Sequence, residues 1–92
     1  MFGQNDDLQK LVVLNNNVVM QLAQFVGSLQ AVQSGTVDAL DYLTQGEKEQ
    51  AAGLLSRTKE EVTGGLAEAG EGLIECLDKL NEHAQYYGKK YG

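Results

Sequence analysis

The 92-residue chain has no proline and no tryptophan, one cysteine and one histidine. Without proline, a long helix meets no obligatory break, although eleven glycines work in the other direction. A single cysteine closes no internal disulfide, so no stapled extracellular framework is implied. Basic residues are few: seven against thirteen acids, a formal charge of −6. That balance argues against nucleic acid as a partner, because such binding needs a basic stripe to displace counterions. Long hydrophobic runs are missing too. The longest is Leu11–Leu14, which excludes a membrane span. The stretch from Met1 to Asp7 is polar and acidic, without the basic start and apolar middle of a signal peptide. The expected location is therefore cytoplasmic, with secretion lacking a cleavable signal peptide as the alternative.

What is present is helical periodicity. With Leu8 at heptad position a, the a series reads Leu8, Asn15, Leu22, Leu29 and the d series Leu11, Val18, Phe25, Val32. All but Asn15 are apolar, and Val12, Val19 and Val26 add position e. Strand alternation fails, because residues 11–14 and 18–20 are contiguous apolar blocks. The pattern predicts a helix over about 7–33, capped by Asn5, Asp6 or Asp7 and ended at Ser34-Gly35. The triplet Asn15-Asn16-Asn17 then lies inside a helix, with Asn15 on the seam and its neighbours on the polar side. A seam asparagine fixes register or oligomer state if it meets a partner; otherwise it is a partly exposed flaw. From Leu11 to Val37 no residue is charged, which suggests burial on more than one side.

Thr36 suits the start of a short helix over 37–43. Thr44-Gln45-Gly46-Glu47 matches a capping box opening a second long helix, about 47–87. With Leu66 at a, its a series is Ala52, Lys59, Leu66, Leu73, Leu80, Tyr87 and its d series Leu55, Val62, Ala69, Cys76, His83. The seam is clean from Val62 onward and ragged before it. Gly64-Gly65 marks the expected kink. Gly88 is the expected stop, with Lys89 and Lys90 at the negative helix end. Glu61, Glu68, Glu75 and Glu82 recur every seven residues as an acidic stripe, read as a solvated outer face or a dock for a basic surface.

No catalytic, cofactor or metal site is expected. Cys76 and His83 stand two helical turns apart, about 10.5 Å along the axis, too far to share one ion. His83 has no nucleophile or orienting acid grouped with it. The glycine-rich stretch at 64–72 follows no strand and carries Glu68 and Glu71, which repel phosphate.

The chain therefore reads as one all-α domain, residues 1–92: an antiparallel helical hairpin. Two helices cannot cover both of their own apolar faces, so dimerisation into a four-helix bundle is the physical expectation. The candidate interface is Leu11, Asn15, Val18, Leu22, Phe25 and Leu29 on the first helix, with Leu66, Leu73 and Leu80 on the second. The partner is a protein, in a homo- or heterodimer. The size, the proline-free hairpin layout and the spacing from Gly46 to Val62, Leu66, Ala69, Leu73, Leu77 and Leu80 resemble the small helical-hairpin proteins of type VII secretion, the Trp-x-Gly family and the helical partners of its toxins. The chain departs from that pattern in having Thr44 at the tryptophan position. The export signal Tyr-x-x-x-Asp/Glu is also unmatched, since Lys90 follows Tyr86 and Tyr91 follows Tyr87 at the acidic position. The resemblance implies a dimeric partner or targeting factor. The functional alternatives are a self-assembling structural bundle and a small bundle that binds an apolar ligand.

Overall fold

The computed structural model describes residues 2–92. Helix α1 spans Phe2–Thr44, and a three-residue turn leads to α2, Lys48–Glu61. A single π-helical turn, Val62–Leu66, joins α2 without a break to α3, Ala67–Tyr91, which runs past the expected stop at Gly88 because that glycine stays out of the left-handed region. The second arm returns along the first, so the chain is an antiparallel all-α hairpin measuring 68 × 16 × 15 Å.

Helix α1 runs through Ser34-Gly35, where the sequence predicted an end. The glycine costs about 1 kcal/mol of helix propensity, yet its missing side chain serves packing. Gly35 is buried, and a Cβ there would run into the side chain of Thr58. The expected separate helix at 37–43 is the last part of α1, and Thr36 donates its hydroxyl to the Gln33 carbonyl within it. The helix also starts earlier than 7, so Asn5, Asp6 and Asp7 lie within it rather than capping it.

The stop comes at Gly46. Its φ of +79° lies in the left-handed region, which only glycine enters without a steric penalty. The Glu47 amide donates to the Tyr42 carbonyl and the Gly46 amide to the Leu43 carbonyl, the two bonds of a Schellman cap. The predicted capping box does not form. Thr44 donates its hydroxyl back to the Asp41 carbonyl, and Glu47 precedes α2 with no side-chain cap.

The seam of α1 consists of Asp7, Leu11, Leu14, Val18, Gln21, Phe25, Ser28, Val32, Gly35 and Ala39, alternating steps of four and three. On the other arm it runs Ala51, Leu54, Thr58, Glu61, then Leu66, Ala69, Leu73, Cys76, Leu80, His83, Tyr87. The second half agrees with the heptads read from the sequence. The first half is displaced by one residue, because the π turn inserts one extra residue and resets the phase. That displacement explains the ragged register before Val62. A regular helix would have put Lys59 on the seam; the π turn puts Thr58 there and leaves Lys59 exposed. It also half-buries Glu61, taking it out of the outer acidic stripe.

The hairpin has almost no interior. Among the described residues only Gly35, Ala39 and Ala51 are buried, and no large side chain is fully enclosed. The radius of gyration is 20.1 Å, against about 12 Å for a compact domain of this length. The accessible surface is 6694 Å² for 10.0 kDa, where a compact monomer of that mass exposes about 5,200 Å². The excess is roughly 1,500 Å².

Candidate interaction surface

The excess surface is not spread evenly. One step along an α-helix turns the side chain by about 100°. The residue after each seam position of α1 therefore lies on an adjoining face, and these residues repeat with the same period. They are Leu8, Val12, Asn15, Val19, Leu22, Val26, Leu29, Gln33, Thr36 and Leu40, and the same spacing continues to Leu43; all are exposed and none is charged. Helix α1 thus carries two apolar stripes about 100° apart, close to the right angle that a helix needs to touch two neighbours in a four-helix bundle.

In an antiparallel pair, the positions that follow the seam on both arms project to the same side of the hairpin. On the second arm these are Ala52, Leu55, Lys59 and Val62, then Ala67, Gly70, Ile74, Leu77, Asn81 and Ala84. The two sets form one flat side. Among the described residues, twelve of the seventeen exposed large apolar side chains belong to it. None of the thirteen acids does; its charges are Lys59 and, one turn before Ala52 on the same face, Lys48.

The opposite side is built from the residues that precede the seam. It carries Lys10, Asp38, Arg57, Glu68, Glu75, Lys79 and Glu82. Shallow grooves confirm which residues share it: one is lined by Lys10, Lys79, Glu82 and Tyr86, another by Ser34, Asp38 and Arg57. The hairpin is therefore two-sided, with one acid-free, mostly apolar side and one charged side.

Of the nine candidate interface residues, Leu11, Val18, Phe25, Leu66, Leu73 and Leu80 are half-buried in the hairpin's own seam. Leu22 and Leu29 lie on the outer apolar side, about 45% exposed. Asn15 is exposed on that same side, not on the seam, because the hairpin closes through Leu14 and Val18. The sequence held the signal for this second stripe, since positions a and e together repeat every 3.5 residues and lack charge. The seam itself lies at d and g.

The open end of the hairpin holds a polar clasp that the heptads did not foretell. The Asp7 carboxylate accepts hydrogen bonds from Tyr91 Oη at 2.6 Å and Lys90 Nζ at 3.1 Å. Lys90 Nζ also donates to Tyr86 Oη at 3.1 Å, and Gln4 Nε2 donates to Tyr87 Oη at 3.1 Å. His83 Nε2 lies 3.2 Å from the Asp7 carbonyl, which calls for the proton on that nitrogen, and its ring stacks on Tyr86. The Tyr91 hydrogen bond, helped by Lys90, holds the Asp7 carboxyl below the usual carboxylate range. Burial and the bond to Asp7 push the Tyr91 phenol up, and the Tyr86 and Tyr91 hydroxyls raise Lys90.

Among the described residues no group of three potential ligands could hold a metal ion, and no helix is long and apolar enough to cross a membrane. Cys76 is a free, half-buried thiol in the seam. No family model matches the chain, and no curated protein or solved structure shows significant similarity to it.

Proposed function

We propose that the chain is a non-enzymatic protein–protein interaction module. Its acid-free apolar side docks on a second pair of helices to complete a four-helix bundle. The observation that carries this reading is the second stripe on α1: eleven consecutive positions at 3.5-residue spacing, Leu8 to Leu43, without one charge. A helix facing water on that side needs no such stripe, and ordinarily carries Lys and Glu there. Area supports the same reading. A side 68 Å long and 16 Å wide covers about 1,000 Å² in projection, against about 800 Å² per partner in a standard stable interface. The resemblance noted above supplies a setting, in which the chain acts as a dimeric partner or targeting factor of a type VII secretion substrate.

The test is a face-by-face comparison in source cells. A tagged chain, after mild crosslinking, should recover a helical protein, either another gene product or an untagged copy of itself. Leu22→Asp and Val19→Asp should abolish recovery, whereas Met20→Asp on the other side of α1 should leave it unchanged. Recovery that is indifferent to Leu22→Asp and Val19→Asp would sink the reading. Circular dichroism on each variant checks that the hairpin persists.

A further inference from the structure

We infer that the occupant of the acid-free apolar side is a second copy of this chain, packed with the two turns at the same end so that α1 of each copy lies on α2 and α3 of the other. This rests on the interaction reading above and names its partner. Three observations select it.

The first is charge. The chain carries a net −6, which opposes self-association in general. All thirteen acids are nevertheless on the seam or on other faces. Two copies can therefore close this side on itself without setting acid against acid. A basic partner would instead be drawn to the side that carries Glu68, Glu75 and Glu82.

The second is size. The α1 half of the side is bulky, with leucine and valine at most positions. The α3 half alternates small and large, with Ala67, Gly70 and Ala84 around Ile74 and Leu77. Facing layers pack densely when large residues oppose small ones. A two-fold axis along the rod sets α1 over the partner's α3 and achieves this. An axis across the rod sets α1 on α1, branched on branched, and lays α2 of each copy over α3 of the other, with Ala67 and Gly70 meeting their own counterparts at the middle.

The third is level. Gly35 lies beside Thr58, Phe25 beside Gly70 and Gln21 beside Gly72, which fixes the register between the arms. Lys59 therefore stands level with Gln33 and Thr36, and Asn81 within about one turn of Asn15. With the turns together, Lys59 of one copy meets Gln33 and Thr36 of the other. Asn81 meets the stretch around Asn15. Apart from Lys48 at the turn end, the polar positions of the side thus oppose polar positions.

The test uses the full chain carrying Cys76→Ala and Gln45→Cys, spin-labelled at the turn. Sedimentation at about 100 µM should give twice the 10.0 kDa chain mass. Pulsed electron–electron resonance should place the labels within about 30 Å, two or three helix diameters; the crosswise packing would hold them near the 68 Å rod length. Leu22→Asp and Ala84→Asp should each weaken the dimer at least tenfold with helicity retained, and Glu68→Lys should not. A dimer with distant labels overturns the turn-together packing and leaves the interaction reading standing. A monomer overturns the second copy as occupant, while recovery of a different helical chain in cells would still uphold the interaction reading. A dimer indifferent to both aspartate variants overturns both.

Discussion

Gly35→Ala is the substitution that most directly tests how the two arms approach. In an exposed helix interior, glycine to alanine stabilises by about 1 kcal/mol. At Gly35 the added methyl meets Thr58. That side chain has no easy escape. Its Oγ1 donates to the Leu54 carbonyl at 2.8 Å, and Thr58 Cγ2 and Cβ each lie 3.2 Å from the new methyl. A β-branched residue in a helix has few χ1 alternatives, so rotation only exchanges one clashing atom for another. The arms must part locally, and overpacking of this kind costs about 1–3 kcal/mol. The net expectation is a loss of about 0–2 kcal/mol. Gly27→Ala is the matched control, since Gly27 is exposed with open space around its Cβ position. It should gain about 1 kcal/mol, or about 4–8 °C in Tm. The gap between the two variants isolates the clash and should be at least about 4 °C in thermal unfolding followed by circular dichroism. All samples share one protein concentration, because association shifts Tm. Adding Thr58→Ala to Gly35→Ala should recover most of the loss in a double-mutant cycle. If Gly35→Ala stabilises as much as Gly27→Ala, the close approach at Thr58 is not a feature of the folded chain.

Three further outcomes are expected. Gly46→Ala should destabilise by about 1–2 kcal/mol from conformation alone, since a Cβ at its φ of +79° meets no neighbour; chemical denaturation measures it, and a neutral result would remove the Schellman cap. Deleting Gly64 should convert the π turn to regular helix while keeping Thr58 and Leu66 on one seam, and should raise stability by about 1 kcal/mol through loss of a helix glycine; a loss above about 2 kcal/mol would mean the extra residue is needed for more than phase. The clasp should loosen at both ends of the pH scale. Asp7 has a lowered folded pKa, so its contribution is present above its ordinary 3.8 and lost as pH falls through the lower folded value. Tyr91 and Lys90 have raised folded pKa values, so theirs is present below 10.0 and 10.5 and lost as pH rises through the folded values. Amide protection over residues 4–10, measured relative to the intrinsic exchange rate at each pH, should therefore be greatest between these limits, and Asp7→Asn should abolish the acid-side change; an unaltered acid limb in that variant would refute the assignment.

The hairpin was legible in the sequence because its cause is local. Mostly apolar 3.5-residue repeats and the absence of proline suffice for two long helices. Phase was less legible. On α1 two stripes compete, and the bulkier one, through Leu8, Leu22 and Leu29, attracts the heptad frame. The seam chosen by the fold instead includes Gln21, Ser28 and Gly35, whose small or flexible side chains let the arms come close. On the second arm a one-residue slip cannot be placed from heptads alone, although Gly64-Gly65 marked the right region. Glycine itself is ambiguous: Gly35 permits contact inside a helix, whereas Gly46 ends one. Only the residue across the gap, Thr58 for Gly35, separates the cases. The clasp depends on residues 83 or 84 positions apart in the chain, such as Asp7 with Lys90 and Tyr91, and no periodicity reports that.

The clasp and the Gly46 turn close a rod that is one side chain deep. Such a rod unzips. Each level is held mainly by the levels above and below it, as in repeat proteins. The covalent turn shuts one end, so separation of the arms begins at the other, and each opened level frees more chain to diffuse. Asp7, Lys90 and Tyr91 stand at that first level. Their bond joins groups that are nearly the whole chain apart in sequence, but after the remaining levels have closed it spans only a short loose end. The loop-closure entropy it must then overcome is small. A single mostly shielded carboxylate can therefore act as the latch of the zipper, and the lifetime of the closed rod is set at its termini rather than at its centre.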